Sequence, residues 1–176
     1  MRCSNDAFSG LGVISEKIST FDKKRVVEVT PTWVANDSSM GVASTKIGAR
    51  WSESSPGFVT LILKNDSTVN SSDAYKNYES ISVNIDGDIK KFPVAGATEL
   101  QSSDYNTVTN TIYTESTALV IIPLEYLRNM VEAKDVRLRF ESIHRYDDGV
   151  FSRDTSDYGQ KLAKARIIEF LKLIVQ

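Results

Sequence analysis

From Arg25 the chain alternates apolar and polar residues with a period of two: Val27, Val29 and Trp33 are separated by Glu28, Thr30 and Thr32. That period belongs to a β-strand with one buried face. Pro31 lies inside the run, and a residue without an N–H predicts an edge strand or a bulge near position 31. The stretch 35–41 is loop chemistry. Thr45, Ile47, Ala49 and Trp51 then line one face of a second strand, opposite Lys46, Gly48 and Arg50. After a turn over 52–57, Phe58-Val59-Thr60-Leu61-Ile62-Leu63 is apolar on both faces and reads as a central strand.

Residues 65–77 are polar and predict a surface loop. Ile81, Val83 and Ile85 resume the alternation, and Asp86-Gly87 separates them from Ile89 and Phe92. An Asp-Gly pair between apolar runs predicts a tight hairpin, because both central positions of the turn favour positive φ. Residues 95–106 read as a second polar loop, 108–114 as a Thr-rich strand and 118–122 as a buried strand. Val136, Leu138 and Phe140 alternate with Arg137, Arg139 and Glu141; the phase then slips to Ile143, which predicts a bulge near Ser142. Asp148-Gly149 reads as a second hairpin turn.

Three segments follow the helical period. Pro123 suits a helix start, and Leu124, Leu127, Met130 and Val131 form a stripe. Ala163, Ile167, Phe170, Leu171 and Ile174 share one face of a segment over 157–175, which Ser156 or Asp157 is placed to cap. Ile14, Ile18 and Phe21 have helical spacing in an opening stretch broken by Gly10 and Gly12, with a strand as the rival reading. The expectation is a mainly β fold: an antiparallel β-sandwich or bent sheet with a short crossover helix near 124–132 and a C-terminal helix near 157–175. Residues 1–22 form an N-terminal arm or tether, and 23–176 a single β-rich domain.

Composition narrows the function classes. The 176 residues carry 21 Lys+Arg against 23 Asp+Glu, so there is no basic field and nucleic acid is not an expected partner. One Cys among them excludes an internal disulfide framework and a cysteine-based zinc cluster. No Walker loop, nucleophile elbow or dinucleotide glycine pattern occurs, and no cofactor is expected. Asn84, Asp86 and Asp88 alternate as in a calcium loop, but the sixth and twelfth positions are Ile89 and Ala95 where such a loop needs Gly and Glu. The single histidine, His144, precedes Asp147 and Asp148. These three are the candidate centre of a small hydrolase or metal enzyme; the plainer alternative is a solvent-facing His beside turn aspartates. Trp33 and Trp51 are candidate partner contacts, weighed against burial in the core.

The sequence opens Met1-Arg2-Cys3-Ser4-Asn5-Asp6, followed by a Ser/Gly-containing stretch. This resembles the mature start of a bacterial lipoprotein, in which the cysteine is acylated and the residues after it act as a tether. The apolar segment and small residues that precede the cysteine in that family are not in this sequence, where only Met1-Arg2 come before it. The resemblance implies lipidation at Cys3, a removed signal peptide, a cell-envelope location (outer-membrane anchored or periplasmic) and membrane contact only through the anchor. The expectation is a non-enzymatic envelope or surface domain that presents Trp33, Trp51, His144, Asp147 and Asp148 to an unknown protein or glycan partner. The rivals are a structural subunit of a larger assembly, which predicts an exposed apolar strip, and the His144 enzyme.

Overall fold

The computed structural model describes residues 10–37 and 41–174. Two antiparallel sheets face each other. The larger has the order β1 (Ile14–Ile18), β2 (Arg25–Thr32), β3 (Lys46–Ser52), β4 (Phe58–Thr68), β8 (Tyr113–Pro123), β7 (Glu99–Ser102). The smaller runs β10 (Tyr146–Val150), β9 (Val136–Ser142), β5 (Tyr78–Ile85), β6 (Asp88–Pro93). Among the described residues two helices, α1 (Leu124–Glu132) and α2 (Ala163–Ile174), close the core beside the smaller sheet.

The alternation read from the sequence sets the core. Register places Val27, Trp51, Val59 and Ile122 on one inward face, and Ile81, Val83, Leu138 and Phe140 on the face opposite. Leu124, Leu127 and Met130 of α1 and Ala163, Ile167 and Phe170 of α2 join the same core. Side chains this deeply buried contribute about 1.5–3 kcal/mol each in transfer free energy.

Pro31 bulges the chain. Val29 pairs with Ala49 and Thr32 with Ile47, so β2 carries one extra residue opposite Gly48. A Cβ at Gly48 would stand 2.5 Å from the Val29 carbonyl oxygen and 2.7 Å from the Pro31 nitrogen. The glycine is therefore the space into which the bulge folds. β2 lies inside the sheet between β1 and β3, so its proline is accommodated by the bulge and not by an edge position.

The hairpin at Asp86-Gly87 forms as its sequence predicts, with φ of +49° and +98°. Its polar side chains bond backbone: Asn84 Oδ1 accepts from the Gly87 N–H within the turn, and Asp86 Oδ1 from the Asp135 N–H before β9.

Several boundaries move. Ile14–Ile18 is an edge strand paired with β2, so the helical reading of the arm gives way to a strand. β4 continues to Thr68, and Glu99–Ser102 inside the predicted 95–106 loop is a strand on the edge of β8. The two strands expected over 108–122 are one, β8, starting at Tyr113. The phase slip at Ser142 arises across the ladder, where Glu79 is the extra residue of β5 between Tyr78 and Ser80. Asp148-Gly149 is no turn. Both residues lie within β10, opposite Arg139 and Leu138, and the reversal is at 143–145. A Cβ at Gly149 would meet Val34 Cγ1 at 2.8 Å, so that glycine permits a close approach.

The last helix begins at Ala163, not near 157. Ser156 and Asp157 belong to a turn closed by the Thr155–Lys161 bridge, with Gly159 at φ +76°. Ser156 Oγ accepts from the Gln160 N–H and Asp157 pairs with Arg153, so neither caps α2.

Candidate functional site

The five described contact candidates separate. Trp51 is 7% exposed, part of the core, and its indole N–H donates to the Pro56 carbonyl at 3.0 Å. His144 is exposed in the 143–145 turn, without a hydrogen bond or ion pair to Asp147 or Asp148. Strand alternation sends Asp147 inward and Asp148 outward. Among the described residues no catalytic group is assembled around His144. Cys3 lies outside the described residues.

Asp147 anchors a polar cluster at one end of the sandwich. Its carboxylate accepts from Ser44 Oγ (3.0 Å), the Thr45 N–H (3.1 Å), Thr45 Oγ1 (3.2 Å) and Lys76 Nζ (3.1 Å). Lys76 is 5% exposed and also donates to Ser44 Oγ at 2.5 Å. Tyr78, equally buried, lies 2.8 Å from Thr45 Oγ1, and burial pushes its phenol well above the ordinary tyrosine range. With four donors on Asp147 and its ammonium partner held against it, this cluster fastens β10 to the 42–46 segment. A buried cation with its counter-ion is what a low-dielectric site requires.

Asp148 lies in a groove on the open face of the smaller sheet, about 370 Å³ in volume. Register explains its shape. Ser82 and Asn84 of β5 are short and form a floor, next to Arg139 and Arg137 of β9. Arg139 donates to both Asp148 oxygens, at 2.8 and 2.9 Å, and its guanidinium lies 4.0 Å from the Tyr146 ring centre. Arg137 reaches Asp37 (2.5 Å) and Asp135 (3.1 Å). Lys91 pairs with Glu141 at 2.5 Å and holds its carboxyl below the usual range, helped by a hydrogen bond from Ser80. Each charge here is matched, so the groove offers directional donors and acceptors with little net field.

Trp33 borders a second recess, of about 200 Å³. The bulge explains why. Thr32 takes the inward position, 4% exposed, and Trp33 turns out to lie half-buried under the Lys46 ammonium, 4.7 Å from its ring centre. Ala35, Val42 and Leu162 continue its apolar wall, and the 153–160 segment supplies the polar rim. Sequence reasoning named Trp33 and Asp148 but missed Arg137, Arg139, Ser82, Arg153 and Gln160. The signal for the first three was the polar phase of two strands known to be adjacent only from the fold.

Among the described residues there is no group of three or more His, Cys, Asp or Glu side chains placed to hold a metal ion. None of their helices is long and apolar enough to cross a membrane. Comparison with models of known protein families, with curated proteins and with solved structures gives no match.

Proposed function

We propose that the chain is a non-enzymatic cell-envelope or surface module, tethered through a lipid on Cys3, that holds a protein or glycan partner on its sheet faces. The observation that carries this reading is the Ser82–Asn84–Arg137–Arg139 groove. It is a concave, charge-matched surface built on hydrogen-bonded strands, with acids committed to arginines. Rigid strands suit a binding face, because their side chains need little ordering when a partner arrives. The Asp147 carboxylate, with its four donors, has no lone pair to spare for general-base work.

Purified protein applied to a glycan array and to isolated cell envelopes tests the binding half. Ser82→Trp fills the groove floor and is expected to abolish retention while leaving the unfolding midpoint in place. Retention indifferent to Ser82→Trp removes the groove from the account. Mass spectrometry of the protein from its native host tests the tether, and an unacylated Cys3 rules it out.

One observation favours the assembly-subunit reading. Phe58, Leu119 and Ile121 share the outer face of β4 and β8, at 53, 37 and 54% exposure. A cluster of exposed apolar side chains marks a contact surface. Concentration-dependent sedimentation that Ile121→Lys abolishes would support it; a monomer at all concentrations would not.

A further inference from the structure

We propose that the recess beside Trp33 binds one neutral pyranose residue of a glycan, stacked on the indole. The proposal rests on the reading of the chain as a binding module and assigns the ligand class of a site separate from the sheet groove. Trp33 is held from two sides. Its carbonyl accepts the Ala163 N–H at 2.9 Å, and the Lys46 ammonium, itself paired with Asp66, covers the ring. Lys46 does not line the recess, so the cavity lies away from the ammonium. A ring so fixed loses little conformational freedom when a ligand stacks on it.

The walls select the ligand. Val42, 39% exposed, continues the apolar surface of the indole, with Ala35 and Leu162 buried behind it, and matches the C–H face of a sugar ring. The rim carries Arg153 and Asp157, joined at 2.9 Å, and Gln160. Planar guanidinium, carboxylate and amide groups give paired donors and acceptors for neighbouring hydroxyls. Because Arg153 and Asp157 cancel, no unpaired charge is left to hold a phosphate or sulfate. The side-chain amide of Gln160 has no protein partner among the described residues, whereas its backbone N–H bonds Ser156 Oγ. A volume of about 200 Å³ accommodates a single ring and not an extended chain.

Indole N–H resonances provide the test on the intact protein. Trp33 and Trp51 give one signal each, assigned with Trp33→Phe, and Trp51, bonded to Pro56 in the core, serves as an internal control. Glucose, galactose, mannose and N-acetylglucosamine are titrated singly. A ligand of so few atoms is expected to bind with a dissociation constant of about 1 mM. The expected result is a saturable shift of the Trp33 signal with at least one sugar, a still Trp51 signal, and roughly tenfold weaker binding in Gln160→Ala. A Trp33 signal that no sugar moves overturns the proposal, as does a shift that Gln160→Ala leaves unchanged. If envelopes are still retained and Ser82→Trp still abolishes retention, the sugar assignment fails alone and the module reading stands. If retention is absent as well, both fall.

Discussion

Replacing Tyr78 by Phe removes one oxygen from the polar end of the sandwich and leaves the ring in place. The phenol is 5% exposed and lies 2.8 Å from Thr45 Oγ1. Thr45 has a single hydroxyl proton, directed at Asp147 Oδ1 at 3.2 Å, so the phenol donates to Thr45. Loss of one neutral hydrogen bond costs about 1 kcal/mol at neutral pH. The variant is expected to unfold at correspondingly lower urea.

The same burial reverses the comparison in alkali. Burial raises the phenol above its ordinary 10.0, and the Asp147, Asp66 and Asp73 carboxylates add to the rise. The native state therefore keeps a proton that the unfolded chain surrenders. A raised folded value contributes stability that is complete below pH 10.0 and is lost as pH climbs toward the folded value. The loss is about 1.4 kcal/mol per pH unit, and the Phe variant does not have it. The deficit of about 1 kcal/mol should accordingly be cancelled between about pH 10 and 11, above which the variant becomes the more stable protein. Urea titrations of both proteins, followed by tryptophan emission from about pH 7 to about pH 11, measure the difference; ionisations common to both cancel in it. A stability gap that stays constant across that range would refute the reasoning, since it means the phenol titrates alike folded and unfolded.

Gly48→Ala drives a methyl against the Val29 carbonyl and the Pro31 ring and should cost about 1–3 kcal/mol, seen as a lower thermal midpoint; an unchanged midpoint would show that the bulge does not occupy that space. Lys76→Met strips the ammonium from Asp147 and should destabilise by about 2–3 kcal/mol, and adding Asp147→Asn should recover part of the loss, whereas strictly additive effects in the cycle would mean the two do not interact. Glu141 titrates below the usual carboxylate range, first through Lys91, so its contribution is present above pH 4.5 and lost as pH falls through the folded value. Glu141→Gln should therefore flatten the acid limb of the stability profile, and identical acid limbs would remove Glu141 as a source of acid sensitivity.

Where apolar alternation is strong, sequence and structure agree: the inward residues of β3 and β9, and of β2 as far as Val29, are visible as period-two runs, and β4 as a run apolar on both faces. The misreadings share a cause. The sequence divides β8 in two and ends β4 early because Ser116 and Asn65 look like loop residues, yet both are at most 2% exposed. The polar atoms of these two are taken up by chain from elsewhere: Asn65 Nδ2 donates to the Asp73 carbonyl, and Ser116 Oγ accepts the Lys76 N–H. A strand whose buried polar groups are satisfied by a distant segment cannot be told from a loop by hydropathy. Asp148-Gly149 misled in the same way. The dipeptide has turn chemistry, but its aspartate is claimed by Arg139 across the ladder and its glycine by Val34 from another strand end.

The candidate surfaces were less legible because a single inserted residue decides them. Counting by twos from Val27 through Val29 puts Trp33 in the core, and Pro31 alone announces that the count fails. Proline here did predict a bulge, and a bulge reverses the faces of every residue after it. Carried one step further, that rule places Thr32 inside and Trp33 outside, as the structure has it. The rest of the recess could not be reached this way. Its other wall arrives from residues 153–162, brought to Trp33 by the turn that Gly159 allows and by the Ala163 N–H on the Trp33 carbonyl. Gly48 and Pro31 thus act on the proposed sugar site without touching it: refilling the space at residue 48 presses on the bulge, and the bulge sets which way the indole faces.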